Sequence, residues 1–409
     1  MFQAIRHLWR TSRLFPRNAR LYLAGTFLMG IGHGALWVHM NLYFRSLGLG
    51  EALIGRILSA GSLGTVLISL PAAIWVDRFP AQVVFMLAAA GFGVAFLLQL
   101  FLPDPSLITA AALLTGMLFT IHWVAAAPFF MRNAPPGQRT ELFGIASAVE
   151  TLATIVSAFG AGYAARRLEA RFGSELLGLR YALATTAIAS MLAVIPFSRI
   201  KSAPPLGERK TLRAYIFARD FALLAKLTVP SFLVGCGAGL TIPFLNLYFR
   251  TRFDQDPQRI GIFFAVAQVL TMAGFLSGPM LARRFSHVRA IVVTELLSIP
   301  FFLILAIANH LWLAVGAFWM RGALMNMNQP VSNAFAMEMV PPDQHTSTNS
   351  VRMLAWSSSW MLTTPLGGWL IERHGFTPNM AATMGLYLVS AALFWGFFRG
   401  RVISDTQPA

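Results

Sequence analysis

The chain has 409 residues, of which 56% are hydrophobic and 12% charged. Soluble domains carry about 25% charged residues, so half that fraction over this length excludes a chain solvated chiefly by water. The formal net charge of +16 would suit a nucleic-acid binder in a soluble protein. Here most of the charges lie in short breaks between apolar runs, where they meet lipid headgroups and set topology, so nucleic acid is excluded as a partner. The single cysteine, Cys236, excludes a disulfide framework and a multi-cysteine metal site.

Residues 1–20 carry Arg6, Arg10, Arg13, Arg17 and Arg20. They lack the short apolar core and small-residue cleavage site of a signal peptide, and read as a cytoplasmic lead-in. Apolar spans follow at 21–45, 52–76, 82–102, 106–131, 140–165 and 178–198, then at 220–249, 258–281, 288–308, 311–337, 346–371 and 378–398. Each is near the ~20 residues that a helix needs to cross a bilayer core. Backbone polar groups must be satisfied inside lipid, and strand-period alternation is absent, so the spans are helices and not barrel strands. The predicted fold is an all-α membrane protein with twelve transmembrane helices in two six-helix bundles. Residues 1–198 form the N-terminal half, 199–219 a cytoplasmic linker and 220–409 the C-terminal half.

Comparing the halves reveals a duplication. Asn41-Leu42-Tyr43-Phe44-Arg45 recurs as Asn246-Leu247-Tyr248-Phe249-Arg250, and Gly30, Gly32 and Gly34 recur as Gly235, Gly237 and Gly239. One inserted residue later, Ile54-Gly55 matches Ile260-Gly261 and Arg78-Phe79 matches Arg284-Phe285. In the same register Pro135-Pro136-x-Gln138-x-Thr140 matches Pro341-Pro342-x-Gln344-x-Thr346. Parallel halves of six helices start on the same side of the membrane. Lys and Arg concentrate in the N-terminal tail, the loops after even-numbered spans and the C-terminus, which places both termini in the cytoplasm. Arg166, Arg167 and Arg171 fall on the other side.

Ionisable residues inside spans are costly and usually face a cavity or a partner. In the first span His33, Trp37 and Asn41 share a face. His122 lies in the fourth span, at the position of Asn328 in the duplicate. Glu150 sits deep in the fifth span, with Ser147, Thr151, Thr154 and Ser157 at helical spacing. It reads either as a protonation or substrate-contact site or as half of a structural ion pair, with Arg352 as the partner to consider. Arg321 heads a stripe with Met325, Asn328 and Ser332 in the tenth span. Arg352 heads another with Trp356, Ser359 and Thr363 in the eleventh. Glu150 is read as the only carboxylate deep in a span; Glu295 and Lys226 lie nearer span ends and are expected to snorkel. Gly30/Gly34 and Gly235/Gly239 have the small-xxx-small spacing of close helix packing. Asn41 and Asn246 suit hydrogen bonds across helices.

Twelve spans, parallel six-helix halves, a basic central loop and cytoplasmic termini resemble the major facilitator superfamily. That family often carries G-x-x-x-D-R-x-G-R after its second helix. Here the loop reads Ala73-Ile74-Trp75-Val76-Asp77-Arg78-Phe79-Pro80-Ala81, so Asp77 and Arg78 match and are the gating residues that the resemblance implies. The glycine-proline motif of efflux members is not matched in the fifth span, which reads Ala158-Phe159-Gly160-Ala161-Gly162.

No zinc-protease, Walker or nucleophile-elbow pattern is present. The expectation is therefore a non-enzymatic secondary transporter without cofactor or metal, working by alternating access at a central site between the halves. Proton-coupled efflux of amphipathic or drug-like molecules leads, with Glu150 as the coupling carboxylate. His33, Trp37, His122, Arg321, Asn328, Arg352 and Trp356 are expected to line the substrate cavity. Uptake or exchange of an organic anion, and a non-transporting receptor or sensor, are the alternatives. The protein is expected to be a monomer in the bilayer of the cell (inner or plasma) membrane, with small-molecule substrate and protons as partners.

Overall fold

The computed structural model describes residues 15–76, 78–133, 139–201, 221–341 and 344–400. Twelve long helices account for nearly all of them. The first six are α1 (Arg17–Ser46), α2 (Glu51–Val76), α3 (Ala81–Phe101), α4 (Pro105–Asn133), α5 (Arg139–Phe172) and α6 (Glu175–Leu192). The second six are α7 (Phe221–Thr241), α8 (Pro257–Phe285), α9 (His287–Ile307), α10 (Leu311–Glu338), α11 (His345–His374) and α12 (Phe376–Phe398). No strand occurs among the described residues. Ten of the membrane-crossing candidates have the length and hydropathy required. The other two, α10 and α11, carry the polar stripes of Arg321, Asn326, Asn328 and Ser332 and of Arg352, Ser359 and Thr363.

The chain packs as two compact units. One holds residues 1–49, 60–209 and 254–265, the other 50–59, 210–253 and 266–409. In the first, α1 packs on α5 and α6, and α3 on α4 and α6. In the second, α7 packs on α11 and α12, and α9 on α10 and α12.

The sequence repeat is a repeat of joints. The Tyr43 hydroxyl donates to the Leu100 carbonyl at 2.5 Å, and the Tyr248 hydroxyl to that of Leu305 at 2.6 Å. Thr120 Oγ1 donates to Thr65 Oγ1 at 3.1 Å between α4 and α2, while Asn326 Nδ2 donates to Thr271 Oγ1 at 3.2 Å between α10 and α8. Each donor also bonds its own helix one turn back, to Gly116 and Gly322 at 2.8 Å. Gly34 approaches the Thr154 backbone and Gly239 that of Trp360, the close crossing expected from the small-residue spacing. Asn41 and Asn246 are both buried.

Each unit also contains a short helix end from the other half of the sequence. The first turns of α2 lie on α11, and those of α8 on α5. A Cβ on Gly55 would come within 2.7 Å of the Thr364 carbonyl oxygen, and one on Gly261 would meet the Ala158 carbonyl still more closely. Glycine is required at both places because backbone meets backbone there.

The duplicate differs where proline intervenes. α1 runs unbroken through Val38, whereas the helix equivalent to it stops at Thr241. It resumes at Leu245–Phe253 after the 3-10 turn Ile242–Phe244, in which Pro243 sits. Proline removes a backbone donor and crowds the preceding turn.

Candidate functional site

In the first unit, Glu150 is partly buried at mid-helix in α5 and forms no ion pair among the described residues. The hydroxyls of its stripe are taken up by backbone. Thr151 Oγ1 donates to the Ser147 carbonyl at 2.9 Å, Thr154 Oγ1 to that of Glu150 at 3.1 Å, and Ser157 Oγ reaches the Ile31 carbonyl on α1. The stripe therefore fastens α5 to itself and to α1, and leaves the carboxylate as its one ionisable group.

Tyr22 on α1 lies within electrostatic reach of Glu150. Its hydroxyl is 3.4 Å from His122 Nε2, and the two rings stack with centroids 5.6 Å apart. Phe85, Phe129, Phe130 and Phe197 surround Tyr22. His122 Nδ1 is buried without a partner among the described residues. His33 stacks on Phe119 at 3.9 Å and lies within electrostatic reach of His122. Of the residues expected here, Glu150, His122 and His33 all lie in this unit, while Trp37 is 39% exposed. Tyr22 is the member that sequence reasoning missed: a tyrosine near a span end looks like one of an interfacial belt. His39, also unremarked, places Nε2 2.9 Å from the Ala158 carbonyl and pins α1 to α5.

The second unit carries the cations. Arg352 on α11 donates through Nη2 to Ser332 Oγ at 3.0 Å, while its Nε and Nη1 are buried without partners among the described residues. Asn328 Oδ1 is likewise unpartnered, and Trp356 remains 42% exposed beside Trp360. Arg321 is buried on α10 with its guanidinium 5.1 Å over the Phe302 ring of α9, and its Nε has no partner among the described residues.

Glu295 corrects the sequence reading. It does not snorkel but is 1% exposed, with Oε1 lacking a hydrogen bond among the described residues, so Glu150 is not the only carboxylate deep in a span. Glu295 occupies the third turn of α9, on the face packed against α12. Tyr387 of α12 lies within electrostatic reach of both Glu295 and Arg321. Lys226 is exposed, as a snorkelling lysine should be. Arg78 is exposed in the turn after α2, where its amide bonds the Trp75 carbonyl at 3.0 Å. Asp77 lies outside the described residues.

The pattern of the Major Facilitator Superfamily matches residues 22–363 and 227–408. A sodium, lithium, potassium/proton antiporter of Planococcus maritimus is 26% identical over 151 residues, 36% of this chain and 35% of its own. The chain thus spans about a third of that relative's length. Among solved structures, a bacterial homologue of the lysosomal transporter Spinster aligns with a TM-score of 0.79 at 16% identity, over 95% of this chain and 99% of that one. The nucleoside transporter NupG aligns at 0.77 and 18%, over 93% and 98%. A D-xylose–proton symporter aligns at 0.75 and 13%, over 95% and 99%. At these identities the structures speak for the fold alone. With a family match over nearly the whole chain and a duplicated twelve-helix fold, this multi-pass membrane protein belongs to the Major Facilitator Superfamily of secondary transporters.

Proposed function

We propose that the protein exports amphipathic, drug-like molecules in exchange for protons by alternating access, with Glu150 as the proton-carrying group. The observation that carries this reading is a membrane-embedded carboxylate without an ion pair among the described residues, in the same unit as the Tyr22–His122 contact. A carboxylate locked to a cation holds one protonation state, whereas an unlocked one can bind and release a proton as its surroundings change. The antiporter relative supports exchange rather than uniport. Exposed Trp37 and Trp356 suit an amphipathic cargo.

The test is Glu150→Gln in proteoliposomes containing only this protein. Uphill transport driven by a pH gradient should be lost while counterflow persists. Uphill transport with unchanged pH dependence would remove Glu150 from the coupling step. An inert wild-type protein in the same liposomes would favour the receptor reading.

Uptake or exchange of an organic anion is the second reading, and it is favoured by the Nε and Nη1 of Arg352, unpartnered among the described residues. A counterflow screen of lipophilic cations against small organic anions separates the two. We further propose a monomer in the cell membrane with both termini cytoplasmic. Single cysteines at Ser202 and Ser174 in a Cys236→Ser background should then label from opposite sides.

A further inference from the structure

An apolar groove of about 600 Å3 runs along the second unit between α9 and α12, at the end where α8 finishes. Val293, Leu296, Leu388 and Trp395 line it, and each is 39% or more exposed. Its floor is continuous with the core around Ile291, Phe335 and Phe394. From Arg289 to Leu296 the groove follows two turns of α9, roughly 10 Å, about a third of a bilayer's apolar thickness.

Charge gathers at one end of it only. Arg289 is itself a lining residue, in the first turn of α9. The Arg284 guanidinium lies 5.5 Å over the ring of Phe285, another lining residue. Arg399 caps α12 one turn beyond Trp395, its amide bonding the Trp395 carbonyl at 2.8 Å. Among the described residues, no Asp or Glu lines the groove. By the charge bias of the loops this end faces the cytoplasm, where anionic lipids attract juxtamembrane arginines.

We infer that this groove binds an anionic phospholipid, with the phosphate on Arg289 and an acyl chain laid between α9 and α12. The site is separate from the Glu150 cluster and does not depend on what is transported. An amphipathic occupant fits because the lining is apolar along its length and cationic at one end. A second protein chain would need a complementary acidic patch at that same end.

Native mass spectrometry of the purified protein, titrated with dioleoyl phosphatidylglycerol or dioleoyl phosphatidylcholine, tests this. The wild type should prefer phosphatidylglycerol. Arg289→Gln should weaken phosphatidylglycerol binding about fivefold and leave phosphatidylcholine unchanged. Arg289→Lys should keep the preference, which separates charge from fold. Ala392→Trp, which fills the groove, should reduce binding of both lipids. An undiminished preference in Arg289→Gln, or undiminished binding in Ala392→Trp, would overturn the inference. So would a dimer that Ala392→Trp dissociates, because the groove would then be an interface between copies.

Discussion

The two units share their joints and differ in their chemistry. Tyr43 and Tyr248 tie equivalent helices to equivalent carbonyls, and the Thr120–Thr65 and Asn326–Thr271 contacts occupy the same place in each unit. In the register those joints fix, Tyr22, His122 and Glu150 of the first unit become Leu227, Asn328 and Trp356 of the second. Conversely Arg321 and Arg352 stand where the first unit has Thr115 and Ala146, and Glu295 falls on Ala89 or Ala90. Duplication preserved the positions that hold helices together and released the interior ones, so Arg321 and Arg352 have no cationic counterpart in the first unit, while each unit keeps a carboxylate within a span, Glu150 and Glu295.

The largest expected effect tests whether the second unit's cation is structural. Arg321 lies buried over Phe302, with Tyr387 in electrostatic reach of it and of Glu295. Arg321→Leu should destabilise the protein by about 2 kcal/mol, because the buried guanidinium loses its contact over the Phe302 ring. If Tyr387 couples the two side chains, adding Glu295→Leu should recover part of that loss. Unfolding in detergent of both single variants and the double one gives the cycle. Additive losses would show that the two side chains act independently.

A smaller effect tests the shared joints. Tyr43→Phe and Tyr248→Phe each remove one interhelical hydrogen bond to a carbonyl, worth about 0.6 kcal/mol in a membrane protein. Both are buried with near-equal bond lengths, so the two losses should agree within about 0.5 kcal/mol. Tyr43 also accepts from Arg180 Nε at 3.1 Å. A larger loss at Tyr43 would measure that extra bond and set the units apart at a joint.

What was legible in the sequence follows the same division. The spans were readable because lipid admits only long apolar helices, and the joints because identical residues such as Asn41-Leu42-Tyr43 recur in register. The Thr120 and Asn326 joint was not readable: a threonine and an asparagine do the same work without matching as letters. Helix ends also ran past their apolar stretches, and α5 continues to Phe172 through Arg166 and Arg167, because helical hydrogen bonding does not stop where lipid does. Glu295 was misjudged because distance from a span end says nothing about which neighbour a face meets. Tyr22 was passed over because its partner His122 is a hundred residues away, and no local pattern links them.

The smallest expected effect, that of Arg166→Gln, lies in a pair of contacts, where α5 meets the start of α8 and α11 meets the start of α2. These contacts are equivalent, yet their charges are inverted. Arg166 of α5 pairs with Asp256, whose Oδ1 also accepts from the Arg259 amide at 2.8 Å and so caps α8. At the matching position α11 has Glu372, whose Oε2 accepts directly from the Ala52 amide at 2.7 Å in the first turn of α2. A carboxylate sits at a helix N-terminus in both, as the helix dipole favours; in one it belongs to the capped helix, in the other to its neighbour. Arg166 is 54% exposed and Asp256 25%, so Arg166→Gln should cost no more than about 0.5 kcal/mol, and less at high salt. Asp256→Asn should cost about the same, because asparagine still caps. Asp256→Ala loses the cap as well and should cost about 1 kcal/mol more. Glu372→Gln keeps an accepting oxygen and should lose only the charge, about 0.3–1 kcal/mol. If Arg166→Gln proves as costly as Asp256→Ala, the ion pair rather than the cap holds α8 to α5, and the two joints differ in mechanism as well as in sign.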